Sequence, residues 1–187
     1  VHCTFKKQGR PSNQPLSEKG IYLDISFFSS NIPYLAGRNL VTHNPQPAMT
    51  INLHRLDDAF HLQATNADGL TVETDGGLAI GGQNAAMSPM QLVLSAVGSC
   101  SSIDIILLLK KQRQNLEDIR ISVTGTRRDE EPRIFTGIHV AYTLVGDVDD
   151  KKAERACRLS MEKMCSVSLM LKAGGVEITW EYEVLNA

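Results

Sequence analysis

The sequence has no block of like charge: its 19 basic and 21 acidic residues are dispersed over 187 positions and leave a formal net charge of -2. Nucleic acid or an anionic membrane would need a clustered basic face, so neither is an expected partner. No basic n-region, apolar stretch and cleavage site of a secretory leader is found. The four cysteines, Cys3, Cys100, Cys157 and Cys165, show no close pairing pattern. That argues for reduced thiols in a cytoplasmic protein rather than a secreted disulfide framework. His54 and His61 lack a third ligand at suitable spacing, so no metal is expected. Gly76, Gly77, Gly81 and Gly82 come without a phosphate-loop lysine and do not open a βαβ unit, so no nucleotide cofactor is expected. They read as a flexible loop. Repeats and low-complexity tracts are absent.

What the chain does have is one long apolar stretch. Residues 88–113, SPMQLVLSAVGSCSSIDIILLLKKQR, hold a cysteine near their centre. Ser88 followed by Pro89 predicts the helix start, because the serine oxygen accepts an orphan amide hydrogen and proline's fixed φ suits the first turn. Over residues 92–109 apolar side chains fall on every face, so the helix needs cover on nearly all sides. Its length would span a bilayer. Asp104 in mid-helix, however, would cost about 2.5–3.5 kcal/mol on insertion, and burial in protein is the better reading.

Residues 1–48 carry five of the seven prolines and one short apolar run at 21–28. They read as an N-terminal appendage of uncertain origin, with Met49 a candidate start, ahead of one domain over 49–187. From Thr50 the period becomes two. INLHRL and FHLQAT flank Asp57 and Asp58, and LTVETD comes after Asp68 and Gly69, which predicts a three-stranded antiparallel meander. After the helix, IRISVTGTRRDEE and RIFTGIHVAYTLVG predict two long antiparallel strands meeting at Glu131 and Pro132, with one face on the helix. DDKKAERACRLSMEKM predicts an amphipathic helix with Ala153, Ala156, Cys157, Leu159, Ser160, Met161 and Met164 inward. It is expected to continue through CSVSLMLKAGG and stop at Gly174 and Gly175, before a last strand VEITWEYEVL. The class is α+β.

Three ordered blocks, SPMQLVLSAVGSCSSIDI, RRDEEPRIFTGIHVAYTLVG and MEKMCSVSLMLKAG, resemble those of the OsmC/Ohr superfamily (osmotically induced protein C and organic hydroperoxide resistance proteins), most closely its YhfA-like branch. The resemblance runs from about Met49 to the C-terminus. It implies an intertwined homodimer whose antiparallel sheets wrap around buried central helices, which agrees with an all-round apolar helix in a small subunit. It also implies a cysteine-based peroxidase. Cys100 as thiolate takes the terminal oxygen of an organic hydroperoxide, becomes a sulfenic acid and condenses with Cys165, and an external thiol reductant resets the disulfide. Cys157 reads as structural.

The chain departs from the peroxidase pattern of that superfamily, in which an arginine from the early strands and a glutamate ten residues before the first cysteine flank the thiolate. Here the glutamate position is Met90, next to neutral Gln91, and no lysine or arginine falls between Phe60 and Met87. Asp104, one turn after Cys100, opposes thiolate formation by like charge. Arg55, Arg127, Arg128 and Arg133 are the candidate replacement cations, from this chain or a partner subunit, against the ordinary structural role of exposed strand arginines. Arg128 and Arg133 rank first because they lie in the second block, and with Met90 they form the expected substrate-binding set. Two function classes remain open. One is an oxidative-stress enzyme reducing organic hydroperoxides; the other is a non-peroxidatic OsmC-like dimer that binds a small apolar ligand.

Overall fold

Alternating side chains from Asn52 onward build three short antiparallel strands, β1 (Asn52–Arg55), β2 (Leu62–Thr65) and β3 (Thr71–Thr74), in that order. The computed structural model describes residues 48–186, so the reading of 1–48 as an appendage falls, but for Ala48, outside the described residues. The expected meander is present. Asp57 Oδ1 accepts from the amides of Ala59 and His61 in its first turn. Asn66 Oδ1 accepts from Asp68 and Leu70 in its second, as short polar side chains do when they mimic a backbone turn.

The glycine-rich segment after β3 is tied down rather than loose. Asp75, only 2% exposed, accepts from the amides of Gly76, Gln83 and Ala85 and folds the chain around a 3-10 turn at Leu78–Ile80. The amide bonds, that of Ala85 foremost, hold the Asp75 carboxyl below its ordinary value of 3.8 against the opposing effect of burial. A carboxyl depressed on folding contributes stability that is complete above its unfolded pKa and is lost as pH falls through the folded one. Asp75→Asn is therefore expected to be less stable than wild type from neutral pH down to about 4, with the gap closing below that. Urea melts at neutral and acidic pH measure the gap, and one that stays constant into strong acid would exclude the role.

Ser88 caps helix α1 (Pro89–Lys111) as predicted. Its Oγ accepts from the Gln91 amide while the Gln91 side chain returns to the Ser88 amide, so Gln91 is half of a capping box. One side of α1 lies on a second sheet of β4 (Asn115–Arg127), β5 (Phe135–Asp147) and β6 (Glu177–Leu185). Gly98 permits the close approach, since a Cβ there would meet Val123 at 3.0 Å. Val97, Ile105 and Leu109 pack with Val140, Tyr142, Leu144 and Met161 in the core beneath. The α+β class and the antiparallel β4–β5 pair match expectation. The expectation of wholly antiparallel sheets does not hold, because β6 pairs with β5 in parallel, Gly137 opposite Glu177. Parallel neighbours need a long crossover, which here is the helical segment between them.

On its other side α1 leaves Ile103, Ile106 and Leu107 at 59%, 40% and 56% exposure. All-round cover is thus not supplied by the described residues of one chain. Among those residues α1 is also the one helix long and apolar enough to cross a membrane.

Asp149 caps α2 (Asp150–Leu159) by accepting from the Lys152 amide. Ala153, Ala156, Cys157, Ser160 and Met161 point inward as expected, whereas Leu159 is half-buried and Met164 is 42% exposed. For Met164 the reason is a break the sequence does not advertise. The helix widens into a π turn at Ser160–Met164, with the Cys165 amide donating to the Ser160 carbonyl, and the chain turns at Cys165 before α3 (Ser166–Ala173). The extra residue in a π turn rotates the side chains beyond it off the buried stripe. Gly174 ends α3 as predicted.

Candidate functional site

The break after the π turn aims a thiol. Cys165 is the N-cap of α3, fully buried, and its Sγ accepts from the amide (3.4 Å) and the hydroxyl (3.2 Å) of Ser168. Cys100, half-buried in the middle of α1, lies close enough to act on the Cys165 thiol. Both thiols are free. Burial pushes the Cys165 pKa up, the two Ser168 donors pull it back, and the neighbouring Cys100 thiol pushes it up again, leaving it raised. Each effect follows from which protonation state the neighbour favours.

A polar floor underlies the pair. The Tyr142 hydroxyl donates to Ser101 Oγ at 2.7 Å and lies 3.0 Å from Met161 Sδ, while Ser101 donates to the Val97 carbonyl. Burial raises the Tyr142 pKa, so it stays a neutral donor. Ser160 Oγ sits between the Ser101 carbonyl and Asp104 Oδ2, at 3.1 and 3.2 Å, which gives Asp104 a partner on the π turn. Lys172 Nζ donates to the Met161 carbonyl at 2.9 Å, a backbone acceptor within the π turn. Burial pushes the Cys157 thiol up to about 12, so Cys157 remains protonated in the core, in keeping with its expected structural part.

The other expected site residues gather elsewhere. Met90 precedes Cys100 by ten residues of helix, about 15 Å, and lines a cavity of about 380 Å³ with Asp75, Gln91, Arg127 and Phe135. Arg128 and Arg133 brace their own β4–β5 turn: Arg128 Nε donates to the Pro132 carbonyl (2.6 Å) and Arg133 Nε to the Arg128 carbonyl (3.4 Å). Leu94 would meet a Cβ on Gly125, and Gly98 faces Val123 and Ile121, so α1 and β4 run in opposite directions. Residues beyond Gly125 therefore recede from Cys100. The structure brings the two cysteines together and does not bring Arg128 or Arg133 to them within one chain. A second cavity, about 490 Å³, runs along α1 past Leu94, Gly98, Ile121 and Val123 and reaches Ser99, next to Cys100.

Sequence reasoning missed Ser168, Tyr142, Ser101 and Asp75. A signal for Ser168 did exist, since Cys-x-x-Ser at a helix start has the spacing of an N-cap and its third residue. Treating 149–173 as one helix concealed it.

Residues 81–181, which include both cysteines, match the family model described as OsmC-like protein. The chain belongs to the OsmC-like family. It is 47% identical over 103 residues to Protein YhfA of Escherichia coli (strain K12), spanning 54% of this chain and 76% of that protein, which agrees with the YhfA-like branch. A hypothetical protein from Aquifex aeolicus VF5 is 33% identical, with a TM-score of 0.62 over 74% of this OsmC-like chain and 98% of its own. An organic hydroperoxide resistance protein OsmC from Legionella pneumophila shares the fold at 19% identity, with a TM-score of 0.57 over 73% and 96% of the two chains.

Proposed function

We propose that this OsmC-like protein is a cytoplasmic thiol-dependent peroxidase that reduces organic hydroperoxides in oxidative-stress defence. The observation that carries this is the meeting of Cys100 and Cys165, which come from different helices and sit above a fully bonded polar floor. The Cys100 thiolate attacks the terminal peroxide oxygen; the O–O bond breaks, the alcohol leaves with a proton, and sulfur is oxidised to a sulfenic acid. The Cys165 thiolate attacks that sulfur; the S–S bond forms, the S–O bond breaks, and hydroxide leaves and is protonated to water. An external thiol reductant then restores both thiols. The cavity along α1 offers an alkyl tail the side chains of Met87, Leu94, Ile121 and Val123 beside polar Gln91, Ser95 and Ser99, with Met90 contributing from its neighbour. The description of the Legionella relative as an organic hydroperoxide resistance protein supports the substrate class.

The exposed α1 residues support a homodimer, in which a second copy covers Ile103, Ile106 and Leu107. An apolar stripe of this kind marks an interaction surface. The double variant Ile103→Glu, Leu107→Glu is expected to sediment as a monomer where wild type sediments as a dimer, and an unchanged mass would exclude this interface. A non-peroxidatic dimer holding a small apolar ligand is the second reading. It is favoured by Met90 standing in the acidic position and by arginines engaged with their own turn.

Thiol titration after one equivalent of cumene hydroperoxide separates the two. The peroxidase reading expects rapid loss of two thiols per chain and a Cys100–Cys165 linked peptide in mass mapping. Absent or slow loss overturns it in favour of ligand binding.

A further inference from the structure

We propose that Ser168 is a positioning residue for the resolving step, its amide and hydroxyl together holding the Cys165 sulfur ready to attack an oxidised Cys100. This rests on the peroxidase reading above. The serines that donate from α1 spend their hydroxyls on the helix behind them: Ser95, Ser99, Ser101 and Ser102 donate to the carbonyls of Gln91, Ser95, Val97 and Gly98, each four residues back. Ser168 does not. Its hydroxyl faces two sulfurs, Cys165 Sγ at 3.2 Å and Met161 Sδ at 3.8 Å.

A hydroxyl carries one proton, and the two sulfurs compete for it. While Cys165 is a thiol, the weak Met161 acceptor can hold that proton. Once Cys165 ionises, the thiolate is much the stronger acceptor, and rotation about a single bond turns the proton to it. The Ser168 amide adds a second donor from the first turn of α3, where the helix end carries partial positive charge. Ser168 is wholly buried, so exposed water does not stand in for it.

The site needs such a donor because, among the described residues, no cation acts on Cys165. Cys100 of α1 acts on Cys165, while Asp104 of α1, Cys157 of α2 and Cys165 itself act on Tyr142 of β5, and none is basic. Lys172 of α3 is bonded to the Met161 carbonyl. Burial alone would keep Cys165 protonated, and the two Ser168 hydrogen bonds are what oppose it.

Ser168→Ala removes the hydroxyl and keeps the amide. In the full chain, Cys100 sulfenic acid, trapped with dimedone after one equivalent of cumene hydroperoxide, is expected to form at the wild-type rate. The Cys165 titration midpoint, followed by the Cβ chemical shift of isotope-labelled cysteine in a Cys100→Ser background, is expected to move up by about one unit, a tenfold smaller thiolate fraction. Disulfide formation should slow by only about threefold at neutral pH, because intrinsic nucleophilicity rises as thiolate fraction falls. Ser168→Thr, which keeps the hydroxyl, should restore the midpoint. An unmoved midpoint, or a disulfide step as fast in Ser168→Ala as in wild type, overturns the proposal. A wild type that forms no disulfide with peroxide overturns the peroxidase reading and the resolving role together, and is told apart by that control.

Discussion

Cys100→Ser and Cys165→Ser are expected to abolish turnover in two distinguishable ways. Cys100 is half-buried whereas Cys165 has no exposed surface, so a peroxide entering along α1 meets Cys100 first. Cys100→Ser should therefore leave the peroxide untouched and both remaining core thiols reduced. Cys165→Ser should consume one equivalent per chain and stop, holding Cys100 as a sulfenic acid that dimedone captures and that excess peroxide drives to the irreversible sulfinic state. Wild type should continue for as long as reductant lasts. The pH dependence is set by the raised pKa of Cys165. Below that pKa the thiolate fraction grows close to tenfold per pH unit, so disulfide formation should accelerate steadily from acid through neutral pH. Stopped-flow thiol loss in the two variants checks the order of events. If Cys165→Ser fails to take up the first equivalent, the roles of the two cysteines are reversed.

Cys100 and Cys165 stood out as candidates because they lie in two of the three blocks that carry the family resemblance. The geometry around them did not. An amphipathic pattern runs unbroken from Asp150 into the residues after Cys165, and nothing in that periodicity marks a π turn, whose cost and position depend on packing against α1. The structural part expected of exposed strand arginines is what one chain shows, and its detail was hidden for a related reason. Arg128 and Arg133 sit in a charged stretch that by itself reads as solvated surface, and the bend between β4 and β5 leaves carbonyls at Arg128 and Pro132 that take both guanidinium groups. Which acceptors a turn leaves open is a property of its backbone, not of its charge.

In the fold, the helix start at Ser88 and Pro89, the meander and the long hairpin were readable from capping chemistry and period-two alternation. The direction of β6 was not, since parallel and antiparallel strands present the same alternation and only the path of the crossover decides between them. The apolar girth of α1 stated a demand for burial without naming the supplier. One face is met by Val123, Val140 and their neighbours in the second sheet, and the face with Ile103 and Leu107 remains open in the described residues.

Gly146→Ala is expected to be the most destabilising single-methyl change in β5, by about 3 kcal/mol or more from backbone strain and overpacking together. Gly146 has φ +133, which L side chains rarely adopt, and a Cβ there would press into the Asn115 carbonyl and stand 3.0 Å from the Glu117 amide. Those neighbours are backbone, at the register shift between Leu116 and Asp118, so no side chain can rotate away. The same turn delivers Asp149, whose amide donates to Gln114 Oε1 and whose carboxylate caps α2. Strain at Gly146 thus reaches the start of the segment that carries Cys165. A loss of this size corresponds to roughly 10 °C in melting temperature for a domain of this length. Gly137→Ala in the same strand is the matched control, because its Cβ would find nothing closer than the Glu177 carbonyl at 3.9 Å, and it should stay within about 1 kcal/mol of wild type. If the two variants melt together, Gly146 is not holding the bulge in place, and the register of β4 against β5 must be set by the side-chain core alone.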